Sequence, residues 1–160
     1  MSRKWKIALG ALAVVVIFCL WYTRPRSFED LVGSGEFQNF SITTHTVEAN
    51  ATERNKENWQ FESREFGAEL REILQSCEYR VSLRSLLPFP DPGPIYGDGD
   101  ATILLSAVTG TEEGFMSTYR GTAATFSVNG RTILTQVQDP DISQKIIAFV
   151  QEHGWKSDSD

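Results

Sequence analysis

Asp91, Asp98 and Asp100 concentrate three carboxylates on a proline- and glycine-rich stretch, PFPDPGPIYGDGD. Calcium takes six to eight oxygen ligands, and such a loop supplies the start of that set. Asp98, Asp100 and Thr102 fall at the first, third and fifth positions of an EF-hand loop, but Ile103 stands where the turn needs glycine and Thr109 where the closing glutamate belongs. The EF-hand reading fails there, and neither metal nor cofactor is assigned. The same stretch suits a second chemistry. Pro88, Pro90, Pro92 and Pro94 stiffen the backbone around Phe89 and Tyr96, which lowers the entropy lost when a partner captures the rings. Phe89, Asp91, Tyr96, Asp98 and Asp100 are therefore the candidate partner-binding residues. The competing reading folds Phe89 and Tyr96 back over the core and leaves the aspartates as solvated loop charges.

The remaining reactive groups form no recognisable set. His45 sits in a threonine-rich run and His153 at the end of an apolar periodic segment, each without Cys, His or Glu at ligand spacing. Cys19 lies in the apolar N-terminal run, so Cys77 is the one thiol beyond it and no disulfide framework exists. A nucleophile elbow, a phosphate loop and a helical zinc motif are all absent from the sequence, and Gly97-Asp98-Gly99-Asp100 lacks the third glycine of a dinucleotide fingerprint. A carboxylate pair or a Ser–His–Asp arrangement could be drawn from any of the 21 acidic residues, so no catalytic residue is assigned.

The strongest signal is an address. From Ile7 through Thr23 the chain carries 17 uncharged residues, which as a helix span roughly 25 Å, near the lower limit for crossing a bilayer core. Trp5 marks one end and Trp21 and Tyr22 the other, where amphipathic rings favour the headgroup layer. Ile7, Val15 and Phe18 belong to the apolar body between them. An uncleaved anchor competes with a removed signal peptide and with a buried core helix. Cleavage needs small residues after the apolar run, whereas Leu20-Trp21-Tyr22-Thr23-Arg24-Pro25 follow. Phe18 is too bulky to precede a lipidated Cys19. Arg3, Lys4 and Lys6 before the span, against Arg24 and Arg26 after it, favour an inside N terminus and a domain outside the cytoplasm.

All 21 acidic residues and 10 of the 15 basic ones follow residue 26, so the remainder carries a formal −11. A surface of that charge repels nucleic acid and anionic lipid headgroups. It leaves a protein or an envelope component as the expected partner, with the membrane crossed once.

The elements follow from periodicity and turn chemistry. Ser27 caps a helical turn that Gly33 stops, read as part of a tether over 27–36. Residues 37–47 favour a strand, 48–58 a polar hairpin loop, and 59–61 a short strand whose Trp59 and Phe61 share a face. Phe66, Leu70, Ile73, Leu74 and Cys77 recur at helical spacing behind Ser63. Tyr79, Val81 and Leu83 alternate in a strand running to about Leu87. Four strands are expected over 101–108, 115–120, 122–128 and 131–137, the last two joined by an Asn129-Gly130 turn that sets Phe126 opposite Ile133. Asp139-Pro140 opens a final helix with Ile142, Ile146, Phe149, Val150 and His153 on its apolar side, and Gly154 ends it. The order implies an α+β fold: a single N-terminal transmembrane helix, then a small two-layer domain with a mainly antiparallel sheet and two packed helices. The expected organisation is 1–26 as cytoplasmic tip and anchor, 27–36 as tether, 37–154 as domain and 155–160 as polar tail. The leading functional expectation is a non-catalytic, membrane-anchored, extracytoplasmic binding domain. A small membrane-surface hydrolase, or an inhibitor or immunity-type protein meeting a basic partner, are the alternatives.

Overall fold

The computed structural model describes residues 3–47, 54–61, 64–88, 101–109 and 114–156. Its elements are α1 (Arg3–Tyr22), β1 (Pro25–Arg26), α2 (Phe28–Val32), β2 (Phe37–Val47), β3 (Arg54–Gln60), α3 (Arg64–Gln75), β4 (Tyr79–Val81), a 3-10 turn (Leu83–Leu86), β5 (Thr102–Thr109), β6 (Gly114–Arg120), β7 (Ala123–Val128), β8 (Arg131–Val137), α4 (Ile142–His153) and β9 (Trp155–Lys156). The strands make one sheet in the order β1-β4-β8-β7-β6-β5-β2-β3-β9, and every ladder is antiparallel. The chain is therefore α+β, with an apolar N-terminal helix added.

Register explains why one face is buried. Ile42 pairs with Leu105, Leu105 with Ser117, Ser117 with Phe126, and Phe126 with Ile133. Side chains alternate across a strand, so this row and its neighbours Ile103, Tyr119 and Ala124 face the same way, and α2, α3 and α4 lie over them. Asn129 at φ 49° and Gly130 at φ 73° are both left-handed, as a two-residue I′ turn requires, and this turn sets the β7–β8 register.

Phe28 of α2 is the centre of the core. It is 0% exposed, and its ring centroid lies 5.8–6.2 Å from those of Phe37, Tyr79, Phe115 and Phe126. Ser27 holds that helix in place by a capping box: its hydroxyl accepts from the Asp30 N–H at 3.2 Å, and the Asp30 carboxylate accepts from the Ser27 N–H at 3.0 Å. Arg71 of α3 then ties the two helices, donating to the Glu29 carboxylate at 3.1 Å and to the Gly33 carbonyl at 3.2 Å. The stretch 27–36, expected as a tether, is thus a packed part of the domain, because its three apolar residues Phe28, Leu31 and Val32 are all buried.

Four boundaries depart from the sequence reading. The strand expected from 59 begins at Arg54, and residues 54–58, the last of the supposed loop, pair with β2 instead. The strand expected to reach Leu87 stops at Val81, because the Ser82 hydroxyl accepts from the Arg84 N–H at 3.3 Å and starts a 3-10 turn. The last helix begins at Ile142 rather than Pro140. The Asp139 carboxylate accepts from the Asp141 N–H at 2.9 Å, closing a short turn before the helix. Residues Trp155 and Lys156, expected in a polar tail, pair with β3 as an edge strand. Gly154 does end α4, but at φ −92° it is not left-handed. A Cβ there would sit 2.7 Å from the Val150 carbonyl oxygen and 3.1 Å from the Trp59 ring, so close approach demands the glycine.

Candidate functional site

Among the described residues, two surfaces left uncovered by the helices differ in chemistry. The first is the far face of the sheet. Ser41, Ser106, Met116, Ser127 and Thr132 form one cross-strand row there, and Thr43, Leu104, Thr118, Thr125 and Leu134 form the next. Hydroxyls dominate because this side faces water while the strands keep their β-branched preference. Met116 is 44% exposed in the middle of this face, and Trp155 of β9, paired with Gln60, is 41% exposed at its edge. His45 lies on the same face, beside Thr102 of β5.

The second surface is a cleft of about 720 Å³ at the corner where α1 enters the domain. Tyr22, the last residue of α1, and Arg26 of β1 form one wall; Ser85, Leu86, Leu87 and Pro88 form another; Arg131, Thr132 and Ile133 at the start of β8 close it. The Arg26 guanidinium carbon stands 5.7 Å from the Tyr22 ring centroid, a cation–π arrangement. Its Nε is buried without a hydrogen-bond partner, which leaves a costly unmet donor beside the cleft. Among the described residues neither Arg26 nor Arg131 forms an ion pair. Asp30 is held below the usual carboxylate range first by its hydrogen bonds with Ser27, with smaller contributions from the charges of Arg24 and Arg26. The Ser85 hydroxyl is already engaged, donating to the Leu134 carbonyl at 3.2 Å and accepting from the Leu134 N–H at 2.8 Å. It holds the 3-10 turn against β8 and so sets the shape of the cleft.

The residues singled out from sequence fall elsewhere. Phe89, Asp91, Tyr96, Asp98 and Asp100 lie outside the described residues, as does Ser63. Trp5, Ile7, Val15, Phe18 and Trp21 lie along α1 and are exposed there, and Tyr22 alone of that set joins the cleft. His153 stacks on Phe66 with ring centroids 4.6 Å apart and sits 3.3 Å from the Glu69 carboxylate, a helix–helix contact between α3 and α4. Cys77 is buried, and desolvation pushes its thiol up, which makes it inert at neutral pH. Tyr79 and Tyr119 are likewise raised by burial under the helices; the Tyr79 hydroxyl donates to the Leu74 carbonyl at 3.0 Å. Arg131, Leu86 and Leu87 carried no signal in sequence, since a cleft assembled from residues more than 100 positions apart leaves no local spacing to read.

No family model matches this sequence, and comparison with curated proteins and with solved structures returns no match. The chemistry of the two uncovered surfaces and of α1 is then the whole basis for assigning a role.

Proposed function

We propose that this chain is a non-catalytic, single-span membrane protein whose α+β domain stands outside the cytoplasm at the bilayer surface and binds a protein or envelope component there. One observation carries the reading. α1 is long and apolar enough to cross a membrane, and none of that span is buried against the rest of the chain; Ile7 is 65% and Leu20 68% exposed. An apolar surface of that extent needs an environment the domain does not supply. Binding is favoured over hydrolysis by what the uncovered surfaces contain. The guanidinium groups of Arg26 and Arg131 offer hydrogen-bond donors and no acceptor, which suits an anion ligand, and the far sheet face presents hydroxyls around Met116.

Address and binding are tested separately. In a Cys19→Ser background, a membrane-impermeant thiol reagent applied from outside labels Ser34→Cys and spares Ser2→Cys; the reverse pattern rejects the orientation. A photo-crosslinking residue at Met116 in the membrane-inserted protein captures a defined partner, whereas adducts no more abundant than from Glu72, on the helix side, reject the sheet face as a binding surface.

A further inference from the structure

The sequence after residue 26 is strongly acidic, yet two arginines, Arg26 and Arg131, line the cleft at the end of α1. Tyr22 ends α1 and Arg26 follows four residues later, so a spanning α1 puts the cleft in or just above the headgroup layer, which adds roughly 5–8 Å to each side of the hydrocarbon core. Arg26 and Arg131 both line that cleft, and Arg26 has a buried, unmet Nε and a guanidinium 5.7 Å from the Tyr22 ring centroid. Planar N–H forks match the geometry of phosphate oxygens. Beside them Leu86 and Leu87 are 51% and 57% exposed, on a turn with no core to fill. Apolar side chains flanking paired cations are what an interface of headgroups and acyl chains accommodates.

We propose that this cleft binds the phosphate of an anionic phospholipid headgroup, with Arg26 and Arg131 as its donors and Leu86 and Leu87 seated among the outermost acyl carbons. The proposal rests on the reading that α1 spans the bilayer. It departs from the expectation that so acidic a domain repels anionic lipid: repulsion acts on the domain as a whole, while this corner would bind locally. The lipid would hold the domain in one orientation on the surface and thereby fix which face points outward.

The test uses full-length protein in neutral detergent micelles titrated with phosphatidylglycerol, bound lipid being counted by native mass spectrometry. Arg131→Gln, on an exposed hairpin where folding is not at stake, lowers affinity about tenfold. Arg26→Lys keeps the charge and loses the fork, and lowers it by a smaller factor. Arg80→Gln, an equal loss of charge on the other side of the adjoining strand, changes it by less than about twofold. Equal effects of Arg131→Gln and Arg80→Gln would show a diffuse charge effect and overturn the site. Inorganic phosphate alone displacing the lipid at comparable concentration would assign the cleft to free phosphate and overturn it as well. A protein that pellets with membranes but shows no lipid preference refutes the cleft alone; one released by alkaline wash refutes the spanning reading on which it depends.

Discussion

α1 and α3 both present apolar side chains, but they solve opposite problems. α3 carries one stripe, with Leu70 and Leu74 fully buried against the sheet and charged residues such as Glu69 and Glu72 facing water. α1 is apolar on all sides and buries none of its spanning residues within the chain. A stripe finds its partner inside the protein; an all-round apolar surface has to find it outside. On the proposed reading α3 serves stability and α1 location, and substitutions should separate the two.

The largest effect is expected in α3. Leu74→Ala removes a fully buried side chain and should cost about 2–5 kcal/mol of domain stability, read by urea unfolding in detergent, without reducing membrane retention. Val15→Arg should do the converse, disfavouring insertion by about 2.5–3.5 kcal/mol while leaving the urea midpoint of the domain unchanged. If Val15→Arg unfolds the domain, α1 is a core helix and the contrast collapses.

A smaller effect is set by pH. The hydroxyls of Tyr79 and Tyr119 and the thiol of Cys77 are raised by burial, so the unfolded chain loses these protons first. Stability is full below the unfolded values and falls as pH rises past about 9–10. Tyr119→Phe should flatten that decline, measured as urea midpoint against pH, whereas retention of α1 in the membrane should show no matching change. The smallest effect belongs to Asp139, held below the usual carboxylate range mainly by its hydrogen bond with Lys145. A depressed carboxyl stabilises above its unfolded pKa and loses that contribution as pH falls through the folded value. Asp139→Asn should therefore cost less than about 1 kcal/mol at neutral pH and reduce the acid-side slope. A loss above that bound would mean the turn before α4 matters more than its exposure suggests.

Legibility in the sequence followed the range of the forces involved. The Asn129-Gly130 turn, the stripe of α3 and the strand segments of β5 to β8 are local patterns; the turn made the β7–β8 register readable residue by residue, while the pairing of β5 with β2 and β6 was not. The placement of Phe28 was not, because a five-residue helix looks like a spacer until four rings from distant strands are seen around it. Ser82 and Asp139 misled in the same way: each has a side chain that bonds to nearby backbone and moves an element boundary by two or more residues. The cleft was the least legible of all. Arg26 reads as a membrane flank and Arg131 as the first residue after a turn, and only the β1–β4–β8 edge brings them to one place.

The central claim, that α1 finds its partner in a bilayer, is tested most directly by expressing the chain, washing the membranes with alkaline carbonate and locating it by immunoblot. The account predicts an uncleaved 18.0 kDa band in the pellet. The same band in the supernatant, or a shortened soluble product, would contradict it.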